Sequence, residues 1–139
     1  MARRPFLQMY DVLNNDTVLD SMMLDLRLVD EPGENMIFTF DIREEFRKLD
    51  YAPMIRMTEI STIEAAWNDN NSGIYTLRFA VEIFTPSIDD GFNLGNYILE
   101  KYKDEHNGIC YSQNLQYDDR TELYNTFMKF KIFINKGEI

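Results

Sequence analysis

The chain has 139 residues, enough for one domain to bury a core without disulfide or metal staples, and at 45% hydrophobic and 27% charged it belongs with folded globular chains. A net charge of -10 argues against a conventional nucleic-acid-binding module, which needs a basic stripe to displace counterions from phosphates. One cysteine, Cys110, and one histidine, His106, rule out an internal disulfide and nearly exclude zinc and non-haem iron sites, which need two or three such ligands.

Met1-Ala2-Arg3-Arg4-Pro5 is basic, but no apolar core of signal-peptide length follows, and no run approaches a membrane span. The expectation is a protein made in the cytosol that stays soluble, with no membrane partner. Pro5 to Asn14 reads as a short helix, because Phe6, Met9, Tyr10 and Leu13 recur at helical spacing and Pro5 suits a first helical position. Asn14-Asn15-Asp16-Thr17 interrupts it and offers a second N-cap. From Leu19 two patterns compete. Leu19, Met22, Met23 and Leu26 fit a helix face, whereas Leu24, Leu26 and Leu28 alternate as a strand would; a helix to about Met23 with a strand after it is favoured.

Asp30-Glu31-Pro32-Gly33-Glu34-Asn35 is a turn, and Met36 to Ile42 alternates after it, so Leu24 to Val29 and Met36 to Ile42 are expected to pair as a hairpin. Arg43 to Leu49 is charged and short, fit for one or two helical turns. Pro53 biases Ala52 towards extended backbone and leads into a strand from Met54 to Ile60. Asn68 to Gly73 is turn chemistry throughout. Ile74 to Phe84 then puts Tyr75, Leu77, Phe79, Val81 and Ile83 on one face, the clearest period of two in the chain. The two strands form a long hairpin at the centre of the sheet.

Ser87 with Asp90 resembles a capping box ahead of a long helix whose Leu94, Ile98 and Tyr102 share a face, with Lys101 and Lys103 in its last turns and Gly108 as its stop. Ile109 to Tyr111 reads as a short strand followed by a loop to Asp118. Glu122 to Ile134 closes the sheet, with Met128, Phe130, Ile132 and Ile134 on one face and Phe127, Lys129, Lys131 and Phe133 on the other. The sum is an α+β fold: a mostly antiparallel sheet of four to five strands, an N-terminal helix, one long helix packed on one face, and a hairpin arm within residues 30–50. The whole chain, residues 1–139, reads as a single domain.

The residues carry no catalytic motif. Asp89-Asp90, Asp118-Asp119 and Glu44-Glu45 are carboxylate pairs of the kind that hold Mg²⁺ or Ca²⁺, but they sit at turns and helix starts where acids are favoured anyway. His106 lies in a Lys-Asp-Glu-His-Asn-Gly helix exit, an expected exposed position, and Cys110 reads as a buried thiol. Gly91-Phe92-Asn93-Leu94-Gly95 lacks the lysine and the glycine spacing of a phosphate loop. Trp67 is either a core anchor or an interface hot spot. The acidity serves solubility, or keeps a surface from sticking to nearby DNA, or meets a basic partner.

The order of elements resembles that of the small tail-completion, or tail-terminator, proteins of long-tailed bacteriophages. The corresponding parts are the helical segment Phe6 to Met23, the strand Pro53 to Ile60, the loop Trp67 to Gly73, the strand Ile74 to Phe84, the helix Asn93 to Lys103 and the closing strand Thr126 to Ile134. Asp30 to Asp50 is longer than compact members need. The resemblance implies a non-enzymatic, cofactor-free virion protein of the neck, assembled in the host cytoplasm into a homo-oligomeric ring, commonly a hexamer. That ring would end tail-tube growth, touch the tail tube protein on one side and the head-tail connector or adaptor on the other, and let DNA pass its lumen without specific binding. On this reading Met36, Phe38, Phe40, Phe127, Lys129 and Phe133 supply the subunit interface, and Trp67, Asn68, Asp69, Asn70 and Asn71 form a loop facing the neighbouring protein. The alternatives are a head-completion or connector adaptor subunit of the same neck, a small enzyme with a carboxylate-metal site, and an acidic DNA mimic.

Overall fold

The computed structural model describes residues 3–28, 36–64 and 73–135. Its sheet has five strands in the order β1-β2-β3-β5-β4. They are β1 (Ile37–Thr39), β2 (Met54–Glu64), β3 (Ile74–Thr85), β4 (Ile109–Asp118) and β5 (Leu123–Asn135). Every pairing is antiparallel except β1 with β2, which is parallel. Three α-helices complete the described fold: α1 (Pro5–Asn14), α2 (Thr17–Leu26) and α3 (Ile88–His106). This is the α+β architecture that the periodicity predicts, with the β2–β3 hairpin at its centre.

Alternation on β3 and β5 decides which side of the sheet the helices cover. Leu77, Phe79, Val81 and Ile83 pair across the strands with Ile132, Phe130, Met128 and Thr126, and the apolar members of both rows are buried. Onto this face α3 lays Leu94, Ile98 and Tyr102, and α1 lays Phe6, Met9 and Leu13. Phe79 is the hub: its ring stacks on Phe130 at 5.5 Å and meets Tyr102 at 5.3 Å and Phe6 at 6.4 Å, both edge-on. The Tyr102 hydroxyl donates to the Met9 carbonyl at 2.7 Å, tying α3 to α1, and burial pushes its phenol well above the ordinary range.

Local chemistry sets the helix ends. Ser87 caps α3, accepting from the Asp90 backbone N–H, and the first turn carries Asp89 and Asp90 against the dipole. A Cβ at Gly91 would lie 2.5 Å from Thr126 Oγ1 and 2.9 Å from Thr85 Oγ1, so only glycine lets the helix start this close to β3 and β5. At the far end the left-handed residue is Asn107, with φ 53°, one place before the expected Gly108. Asp16 caps α2 through the Val18 and Leu19 N–H groups, and its carboxylate also takes the Tyr97 hydroxyl at 2.6 Å and the Lys101 ammonium at 3.1 Å. Burial raises its pKa, but the hydrogen bonds from Tyr97, Leu19, Lys101 and Val18 outweigh that and hold it below its ordinary value.

Two expectations need correction. The second hairpin does not form: Leu24 and Leu26 continue α2, and β1 pairs in parallel with β2, Ile37 opposite Ile55. With Leu19 and Met23 already buried on a capped helix, continuing the helix satisfies the backbone without a strand partner. Residues 29–35 lie outside the described ones. The one or two helical turns expected from Arg43 to Leu49 do form, as the 3₁₀ turns Glu44–Phe46 and Leu49–Tyr51. The segment after Tyr111 is not a loop but part of β4, which pairs with β5 as far as Asp118 opposite Leu123.

Candidate functional site: the open face of the sheet

The side chains that alternate away from the helices form the other face of the sheet, and the pairing register orders them in rows. Arg56, Glu82, Phe127 and Asn114 make one row, then Thr58, Ala80, Lys129 and Ser112, then Ser61, Arg78, Lys131 and Ile109. Ile63, Thr76 and Phe133 make the last. Below the first row Ile42, Met54, Phe84, Arg47 and Leu123 surround a small pocket of about 110 Å³, so the chain between β1 and β2 closes that end of the face.

Glu82 is the acid at the centre. It is 6% exposed and accepts from Arg56 Nε at 2.6 Å and Nη2 at 2.9 Å, a two-pronged pair, and from Asn125 Nδ2 at 3.0 Å. The Arg56 guanidinium also lies over the Phe84 ring at 5.5 Å. Its hydrogen bonding to Glu82 raises the Arg56 pKa against the lowering effect of burial. Asn125 Oδ1 is buried without a hydrogen-bond partner.

Beyond Glu82 the face is basic and aromatic. Arg78 and Lys131 are direct cross-strand partners, and Lys129 follows two residues earlier on β5. The Lys129 ammonium sits 5.7 Å from the centre of the Phe127 ring and that of Lys131 5.1 Å from Phe133. Among the described residues none of these three cations takes part in an ion pair. Exposed Ile63, Phe133 and Ile109 border the cluster.

Of the interface residues named from sequence, Phe127, Lys129 and Phe133 come together on this face. Phe40 lies elsewhere: it is exposed, adopts φ 64°, and sets its ring edge-on to Phe6 at 5.6 Å. Met36 is fully buried and its carbonyl accepts the Ile55 N–H, so within one chain it serves the core and offers no surface. Phe38 is partly buried and stacks on Phe46 at 6.0 Å. Trp67, Asn68, Asp69, Asn70 and Asn71 lie outside the described residues. Arg56, Arg78 and Glu82 are members of the face that sequence reasoning did not name; the place of Arg78 opposite Lys131 follows from register, which only the folded sheet fixes.

The other candidates do not converge. Among the described residues no group of three or more His, Cys, Asp or Glu side chains could hold a metal ion. Asp118 accepts the Arg120 N–H in its own turn, which lowers its pKa. His106 is half-buried rather than exposed, with its ring 6.3 Å from Tyr102, on an open cleft of about 560 Å³ that Gln8, Ile74, Glu105 and Phe133 also line. Cys110 is half-buried and burial pushes its thiol up, away from a reactive thiolate. No described helix is long and apolar enough to cross a membrane.

No protein-family model matches the chain, and no curated protein does. The fold does match solved structures. One is a chain of the virion of a native gene transfer agent particle, with TM-score 0.55 over 91% of this chain and 91% of that one, at 9% sequence identity. At that identity the shared property is the fold.

Proposed function

We propose that this protein is a structural, non-enzymatic subunit of a phage-like virion. Its finer assignment is a homo-oligomeric ring at the head-proximal end of a tail, ending tube growth and joining the tail to the head connector. The observation that carries the reading is the correspondence of nearly the whole fold, end to end, with a chain of a gene transfer agent virion. The open sheet face supports it: Phe127, Lys129 and Phe133 present an amphipathic surface on a small two-layer domain that would otherwise leave it to water. Phe40 joins them as a proposed contact residue, and the Trp67–Asn71 loop is assigned to the neighbouring neck or tail tube protein. The acid excess of the chain suits a lumen through which DNA moves without binding.

The test is co-assembly with the tail tube protein of the same virion. Polymerising tube protein should stop at a fixed end capped by a ring of this chain, visible in negatively stained class averages. Tubes that grow past it, with no capping density, would refute the assignment.

A further inference from the structure

We infer that the cation cluster on the open sheet face receives the outer stripe of helix α3 from a second copy of the chain, in a head-to-tail contact. The inference rests on the ring reading and names its interface. Arg78 faces Lys131 directly across the β3–β5 pair, with Lys129 about 7 Å further along the strand on the same side. Like charges directly opposite in a sheet repel. Among the described residues no carboxylate pairs with them: Glu82, the nearest acid by register, is committed to Arg56 and Asn125. The two ammonium groups stay over Phe127 and Phe133, so the cluster is a charged patch on an apolar floor. A surface of that kind suits an anionic, partly apolar partner.

The chain itself carries that partner. It has 24 acids against 14 bases. The buried stripe of α3, Leu94, Ile98 and Tyr102, faces the sheet, which turns Asp89, Phe92, Asn96, Glu100 and Asp104 away from it. All five are exposed, Phe92 at 54%, and none of the three acids forms an ion pair among the described residues. Glu100 and Asp104, one turn apart, are about 6 Å apart along the axis, close to the spacing of Lys129 and Lys131. Phe92 offers an apolar contact to the Phe133, Ile63 and Ile109 border. Because the helices lie on one side of the sheet and the cations on the other, the contact joins two different surfaces. Such a contact is heterologous, the kind that makes a ring when the rotation between copies closes. A polyanion such as DNA has the right charge for the cluster, but the net charge of -10 repels it at range, while that same excess supplies the carboxylates of a second copy.

Charge reversal tests this directly. The variants are Lys129→Glu with Lys131→Glu, and Glu100→Lys with Asp104→Lys, each checked for an unchanged thermal transition and then sized by sedimentation. Wild type assembles. Each variant alone associates more weakly by roughly tenfold or more, since like charges then meet across the contact. An equimolar mixture recovers the wild-type size, because each chain now finds an opposite surface on the other. Variants that assemble like wild type, or a mixture that fails to recover, overturn the inference while leaving the ring standing. Wild type that is monomeric throughout overturns both. If wild type binds a short DNA duplex and the lysine variant loses that binding without losing assembly, the cluster serves a polyanion and the inference fails.

Discussion

Removing the Glu82 carboxylate is the sharpest probe of how the open face is held. In Glu82→Ala the Arg56 guanidinium loses both hydrogen bonds and its counter-charge, and Asn125, whose Oδ1 already lacks a partner, loses the bond from its amide. Breaking a fully buried ion pair from one side costs about 3–5 kcal/mol. The Arg56 side chain keeps 28% of its exposure and can rehydrate in part, which lowers the expected cost to roughly 2–4 kcal/mol. Arg56→Met combined with Glu82→Leu removes the pair from both sides and fills the space with apolar atoms, so it should lie within about 1 kcal/mol of wild type. Urea unfolding at neutral pH and one fixed protein concentration measures all of these, with Arg56→Met alone closing the cycle. The reasoning is refuted if Glu82→Ala costs less than about 1 kcal/mol, or if the double variant costs as much as the two single ones added together.

Other outcomes follow from the helix contacts. Asp16→Asn should cost about 1–3 kcal/mol, since it weakens the α2 cap and the bonds from Tyr97 and Lys101. Because the folded pKa of Asp16 is lowered, its contribution is present above the unfolded value near 3.9 and is lost as pH falls through the folded value. The acid limb of wild-type stability should therefore be steeper than that of Asp16→Asn, and equal slopes would count against this node. Gly91→Ala should destabilise by about 1–2 kcal/mol, because a Cβ 2.5 Å from Thr126 Oγ1 outweighs the gain in helix propensity; a thermal melt at or above wild type would contradict it. Tyr102→Phe should cost about 1–2 kcal/mol, and in an alkaline absorbance titration of wild type this phenol should ionise only as the chain unfolds.

Where the sequence was legible, a local pattern and a buried face coincided. α1 spans the residues its spacing predicts, and the alternation of Leu77 to Ile83 and of Met128 to Ile134 marks the face that the helices cover. Ser87 and the Leu94, Ile98, Tyr102 face gave α3 the same way. Where tertiary pairing decides, the pattern misled. Gln113 to Tyr117 are exposed on both faces, so no period shows, and β4 exists because β5 lies beside it. Leu24, Leu26 and Leu28 alternate as a strand would, yet the first two complete a capped helix. Met36 reads as a subunit-interface residue, yet with β1 docked in parallel on β2 it is fully buried within the chain. Lys129 and Lys131 were legible as one face of a strand, but not the cation opposite them.

Mass in solution tests the central claim most directly. Light scattering at the highest concentration at which the protein stays soluble should return a multiple of the 16.5 kDa chain, six copies if the ring is a hexamer, and the multiple should persist on dilution. A single 16.5 kDa species at every concentration, with no closed rings on the grid, would contradict it.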